Sequence, residues 1–167
     1  MKFLRYSLLF AGAAIAVMQF VPVKPLHHAV ISGHTIEASL DVPAPVQTIL
    51  NKACKDCHSY ETKLPWYGKV APVSWMISAE IERARQVMNF SEWSVQAGAR
   101  PGIAMGTLLA ACSGVETQRM PPAAYRRMHN TARLSPEEVD TLCGWTAVEA
   151  RLLRKQTAPQ RTLALNR

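Results

Sequence analysis

The sequence predicts an all-α domain behind an N-terminal hydrophobic helix. Four stretches between Pro45 and Leu153 carry apolar residues at three- and four-residue steps, the spacing of one helix face. No stretch reads convincingly as a strand. The clearest helix start, Ser135-Pro136-Glu137-Glu138, is a capping box with proline in the first helical position. At 167 residues and 18.5 kDa the chain holds one domain with short extensions. Its 49% hydrophobic and 19% charged residues exclude a disordered chain and permit a core.

The net charge of +7 is unevenly placed. Met1 to Arg5 contributes +2, Val23 to Gln118 sums to zero, and Arg119 to Arg167 contributes +5. An even spread would point to nucleic acid or an anionic membrane. A basic excess confined to the two ends takes its meaning from what lies between.

The first element is a targeting or anchoring helix. Lys2 and Arg5 precede an uncharged, mostly apolar run from Tyr6 to Val23. Eighteen residues at 1.5 Å each give roughly 27 Å, the short end of a bilayer span. The positive flank keeps the first residues in the cytoplasm and sends the rest outward. A cleaved signal peptide is the rival reading, with Ala14-Ile15-Ala16 as its small-residue site. Either way the remaining chain works in an oxidising compartment. Residues 1–23 are thus assigned to this segment.

Residues 24–41 read as an irregular linker. Pro25, Pro43 and Pro45 break helices, and only Thr35 to Leu40 alternates weakly, as a short strand would. The domain proper is expected over 42–155. Pro45 opens a helix through Val46, Ile49, Leu50 and Ala53. Leu64 to Trp75, rich in proline and aromatics, is a loop at least as far as Pro72. Val73, Ile77, Ile81, Ala84 and Met88 then mark an amphipathic helix, with Glu80, Glu82, Arg83 and Arg85 mostly off its apolar face. Ile103, Leu108, Leu109, Cys112 and Val115 mark a third. The capped fourth helix buries Val139, Leu142, Trp145, Ala150 and Leu153. From Gln156 to Arg167 the chain reads as a polar, basic tail.

The chemistry is concentrated in Cys54-Lys55-Asp56-Cys57-His58, the C-x-x-C-H attachment sequence for haem c. On a helix, Cys54, Cys57 and His58 share one face. Two thiols can then add to the vinyl groups while the imidazole reaches iron from one side. A dithiol redox centre would need no adjacent histidine. A zinc site would need a second ligand pair at knuckle spacing, which Cys112, Cys143 and the scattered histidines do not supply.

Met120 is the first candidate for the sixth iron ligand. Its thioether is soft, and Pro121-Pro122 stiffen the loop that carries it. His129 is the second candidate. Met76, Met88, Met105 and Met128 are assigned to packing. Cys112 and Cys143 lie on predicted helix faces, where they are either a disulfide or two buried thiols. A bridge closing about thirty residues would add roughly 3–4 kcal/mol in the chain-entropy model.

The stretch from Ala53 through Cys54-Lys-Asp-Cys-His58 and Pro65-Trp66-Tyr67 to Trp75 resembles the bacterial "haem-binding domain" family of small, membrane-anchored c-type cytochromes. Asn89-Phe-Ser-Glu-Trp93, Arg119-Met-Pro-Pro-Ala-Ala-Tyr125, His129 and Leu134-Ser-Pro-Glu-Glu138 follow in the family's order. The resemblance covers about Val42 to Val148, with Gln19-Phe20-Val21-Pro22 also similar. It implies a cytochrome c-like fold with covalent haem, proximal His58 and distal Met120. Cytochromes c also imply a proline carbonyl that accepts the proximal imidazole N–H, for which Pro72 is the candidate. Tyr67 and Trp66 are candidate haem-wall or propionate contacts.

The expected function is one-electron transfer, without catalysis, at a haem held by His58 and Met120 on the periplasmic side of a bacterial inner membrane, with a redox partner protein and no nucleic acid. A peroxidase-like haem or a gas or redox sensor is the first alternative, with Met120 labile. An accessory haem subunit of a respiratory complex is the second. Arg119, Arg126, Arg127 and Arg133 would stabilise propionates or steer an acidic partner.

Overall fold

A computed structural model describes residues 2–164, the side chains of residues 101 and 157–164 excepted. In chain order the helices are α1 (Lys2–Met18), α2 (Ile36–Ser39), α3 (Ala44–Ala53), α4 (Lys55–His58), α5 (Val73–Val87), α6 (Trp93–Ala99), α7 (Pro101–Glu116), α8 (Ala123–Met128) and α9 (Pro136–Ala164). No strand occurs among the described residues, so the all-α expectation stands. The most extensive helix pairing is α7 against α9, and α3 packs on α9 as well. Leu108 and Val115 of α7, Leu142 and Trp145 of α9, and Val46, Ile49 and Leu50 of α3 meet in one core.

Local chemistry accounts for the boundaries. Pro45 sits in the first turn of α3, where its missing N–H costs no intrahelical bond. Ser135 and Glu138 cap α9 reciprocally: the Ser135 N–H donates to Glu138 Oε2 at 2.9 Å, and the Glu138 N–H donates to Ser135 Oγ at 3.2 Å. α7 ends where Gln118 turns into the left-handed region at φ 56°. Its N–H then donates to Val115 O at 3.1 Å, a helix-ending bond.

Four expectations need correction. The stretch 24–41 is part of the fold: Leu26 and Ile36 are buried, and Ile36 belongs to the core cluster. Thr35 to Leu40 forms a helical turn, because the Thr35 hydroxyl accepts from the Ala38 N–H and caps α2. The buried stripe of α5 is Ser74, Ser78, Ile81 and Arg85, rotated away from the all-apolar face predicted. Residues 156–164, expected as a tail, continue α9 to Ala164. The remainder of that expected tail, 165–167, lies outside the described residues.

The N-terminal helix is also shorter than expected. α1 has 17 residues, about 26 Å at 1.5 Å per residue, and the chain leaves it at Gln19. Among the described residues no helix is long and apolar enough to cross a membrane. The cause lies in Gln19, which turns back toward the domain. Its amide nitrogen donates to Ala71 O at 3.2 Å, and its amide oxygen accepts from Ala71 N at 3.0 Å.

Candidate haem site

Cys54 is the irregular residue between α3 and α4, with φ −125° and ψ −44°. One tight turn follows, in which the Cys57 and His58 N–H groups both donate to the Cys54 carbonyl, at 3.2 and 3.0 Å. This turn brings both sulfurs and the imidazole to a single cleft. Met120 reaches the same cleft from the connection between α7 and α8. Leu50, Phe90, Leu108 and Trp145 are among the apolar residues that complete its walls. Between its walls and mouth the cleft leaves about 860 Å³ of space between atoms, open solvent included.

The proximal wall is held by backbone. His58 Nδ1 lies 2.9 Å from the Met88 carbonyl, so it carries the proton and leaves the Nε2 lone pair available to a metal. The Phe90 N–H donates to the His58 carbonyl at 2.7 Å, and the Phe90 carbonyl accepts from the Ile36 N–H at 2.8 Å. Burial lowers the His58 pKa, opposed by the Met88 and Ala84 carbonyls. The ring is therefore neutral at neutral pH, the form that binds a metal. Beneath the turn, Arg85 donates from Nε and Nη2 to the Ser59 carbonyl at 2.9 and 2.6 Å, and from Nη2 to Thr62 Oγ1 at 2.9 Å. Its guanidinium also lies 5.0 Å from the centre of the Tyr60 ring.

Met88 takes the role expected of Pro72. Pro72 sits just before α5 and Met88 just after it, roughly 24 Å apart at 1.5 Å per residue. Only the far end can serve the imidazole. The last carbonyls of a helix lack intrahelical donors, which leaves the one at Met88 free to accept. Trp66 and Tyr67 do not line the cleft, and Trp66 is 78% exposed.

On the distal side the Met120 N–H donates to the Gly114 carbonyl at 2.9 Å. A Cβ at Gly114 would lie 3.3 Å from Met120 Cγ, so the missing side chain lets the thioether stem lie against α7. Arg126 Nη1 donates to the carbonyls of Gln118, at 2.8 Å, and Pro121, clasping the loop on both sides of Met120. The runner-up ligand, His129, stacks on Tyr125 at 4.0 Å and does not line the cleft. Tyr125 does line it, and its hydroxyl donates to Asp56 Oδ2 at 2.6 Å, tying α8 to the middle of the C-x-x-C-H turn. Burial first, then Asp56, raise the Tyr125 pKa and keep the phenol protonated. Sequence reading missed Gly114 and Tyr125 as positioning residues, and gave Arg126 and Met88 other roles. Only the helix-end carbonyl at Met88 left a general signal.

Burial pushes the Cys54 thiol to about 12, with Cys57 adding to the shift. Burial and the Asp56 charge push Cys57 to about 11, with Arg85 opposing. Both are protonated at neutral pH, whereas a dithiol redox catalyst needs a thiolate. The residues fit a haem: an apolar cleft, one imidazole, one thioether, and two thiols beside the imidazole. Away from it, Cys112 Sγ and Cys143 Sγ are 2.06 Å apart in a disulfide joining α7 to α9.

Fold and donor set together define a helical haem-binding domain. The comparison with known families gives the same class: residues 13–148 match the haem-binding domain family, and the chain belongs to it. No curated protein and no solved structure matches the chain.

Proposed function

We propose that this protein is a c-type cytochrome with a cytochrome c-like fold that carries single electrons on the periplasmic side of a bacterial inner membrane. Cys54 and Cys57 would hold the haem covalently through thioethers, with His58 as proximal and Met120 as distal ligand. The bound haem supplies a one-electron iron couple. The chain's own residues do the rest. His58 is oriented by Met88, Met120 is held by Gly114 and Arg126, and the apolar walls exclude water, which favours the reduced state and raises the potential. His58 and Met120 would both hold the iron, which argues for a carrier over an enzyme. The observation that carries this reading is the convergence of Cys54, Cys57, His58 and Met120 on one apolar cleft.

Support for the location comes from the disulfide, which suits an oxidising compartment, and from Lys2 and Arg5 ahead of the apolar α1. α1 is read as the export element that also keeps the domain at the membrane. Support for an acidic redox partner comes from a second depression beside Met120, lined by Arg126, Arg127 and Arg133 against Glu116 and Asp140. Salt should slow electron transfer to such a partner strongly. A rate indifferent to ionic strength would remove the partner reading.

The decisive test is optical spectroscopy of the oxidised protein and its Met120→Ala variant. A far-red Met–iron band present in the first and lost in the second is the expected result. A wild type without the band that binds carbon monoxide rapidly when reduced would replace the carrier with a sensor or peroxidase-like protein. Haem that leaves the denatured chain on solvent extraction would overturn covalent attachment.

A further inference from the structure

Trp66 and Tyr67, the candidate haem-wall contacts, begin a segment, Trp66 to Met76, that lies away from the cleft. Trp66 and Met76 are 78% and 68% exposed, and Val70 and Val73 are exposed as well. Val73 and Met76 stand three residues apart on α5 and so share a face. Ala71, in the middle of this segment, is the residue that Gln19 grips through both backbone groups. Phe20 and Val21, directly after Gln19, are exposed too. The end of α1 therefore meets an apolar rim of the domain with no slack chain between them. Farther along, Lys24 pairs with Glu82 at 3.2 Å and Leu26 is buried, so the chain stays against α5.

We infer that this rim, made by Phe20, Val21, Trp66, Val70, Val73 and Met76, rests on the lipid surface and forms one continuous membrane-contact face with α1. The inference rests on the reading of α1 as a membrane element. Three observations select lipid as the occupant. α1 exposes Phe3, Leu4, Leu8, Leu9 and Phe10, so the face it continues is already apolar. At about 26 Å, α1 is shorter than the roughly 30 Å hydrocarbon layer. A short hydrophobic helix draws its attached flank toward the layer, and here the flank is the rim fixed by Gln19. The rim also has the composition of an interface, with an exposed tryptophan and Lys69 beside it for anionic headgroups. The acidic residues farther along α5 are paired: Glu80 with Arg83, and Glu82 with Lys24.

The test uses full-length holoprotein on phosphatidylcholine/phosphatidylglycerol vesicles that carry a photoactivatable group near the headgroup. Labelling of both α1 and the peptide containing Trp66 to Met76 is expected. A Trp66→Ser/Met76→Ser double variant with an unchanged haem spectrum should partition roughly tenfold more weakly, since each large apolar side chain returned to water costs about that factor or less at an interface. Label on α1 alone, with the variant partitioning like wild type, overturns the rim and leaves membrane attachment intact. Protein that stays in the supernatant overturns both. A rim dark to the lipid label, with the variant converting a dimer to a monomer, assigns the face to a second copy of this chain instead.

Discussion

At the residue scale, two side chains outside the C-x-x-C-H motif decide whether it is held in shape. Arg85 is buried and spends its donors on the Ser59 carbonyl and the Thr62 hydroxyl, which fixes the chain immediately after His58. Arg85→Met would leave the buried Ser59 carbonyl with only the long 3.5 Å contact from the Thr62 hydroxyl, at a cost of about 1–3 kcal/mol. A fall in the denaturant midpoint with an unchanged m-value is the expected measurement, and Arg85→Lys should recover part of the loss. Gly114 offers a different separation. Alanine there gains about 1 kcal/mol of helix propensity. Its Cβ would press on Met120 at 3.3 Å. Gly114→Ala is expected to be as stable as wild type or more so, yet to surrender Met120 more readily to added imidazole, read from the far-red band. A variant that loses stability and keeps the band would show that the glycine serves packing alone. Sequence pattern placed Arg85 on the solvent face because a guanidinium is rarely buried. What overrides that expectation is the number of acceptors the motif turn leaves facing α5.

At the element scale, the helices with a repeating apolar stripe and a proline or capping start were legible: α3, α5, α7 and α9 all lie where periodicity predicts them. The short elements were not. α2, α4, α6 and α8 are four to seven residues long, too short for a period to repeat, and α2 depends on one hydroxyl cap. The site divides the same way. Cys54, Cys57, His58 and Met120 announce themselves by chemistry, while Met88 acts through a carbonyl that any residue could provide. The cap of α9 makes a testable pH statement. Lys52 and the Ser135 backbone hold the Glu138 carboxyl below its ordinary value of 4.5. A carboxyl lowered by folding stabilises above the unfolded pKa, and that contribution is lost as pH falls through the folded value. Below about 4.5, wild type should therefore lose stability more steeply than Glu138→Gln. The pair is partly solvated, so the difference at neutral pH should stay under about 1 kcal/mol. Ser135→Ala should cost about 1 kcal/mol at any pH, because its hydroxyl cap does not titrate.

At the scale of the whole molecule, the cleft lies between elements that are far apart in sequence, and the α7–α9 pair closes one side of it. Ala111 and Val115 from α7 and Leu142 and Trp145 from α9 line the cleft, and the Cys112–Cys143 bridge ties these two helices within a turn of those residues. Trp145 also donates from Nε1 to the Asp41 carbonyl at 2.8 Å, so the segment ahead of α3 hangs on the same wall. The bridge closes a loop of 31 residues that includes Met120 and α8. In the chain-entropy model a loop of that size is worth about 3–4 kcal/mol. That is a large share of the roughly 5–15 kcal/mol that holds a domain of this size. Cys112→Ser/Cys143→Ser is accordingly expected to lower the unfolding free energy by that amount in oxidised holoprotein. On the proposed covalent attachment through Cys54 and Cys57, wild type should show no titratable thiol when denatured without reductant. Two thiols in wild type whose haem resists solvent extraction would sink the bridge, two with extractable haem would sink the covalent attachment alone, and four would sink both. Dithiothreitol should move the wild-type melting curve onto that of the variant and leave the variant unmoved. If both haem ligands survive in the variant, the bridge stabilises the cleft walls without setting the coordination. Loss of the Met–iron band alone would mean that the loop between the two cysteines positions Met120 only when its ends are tied.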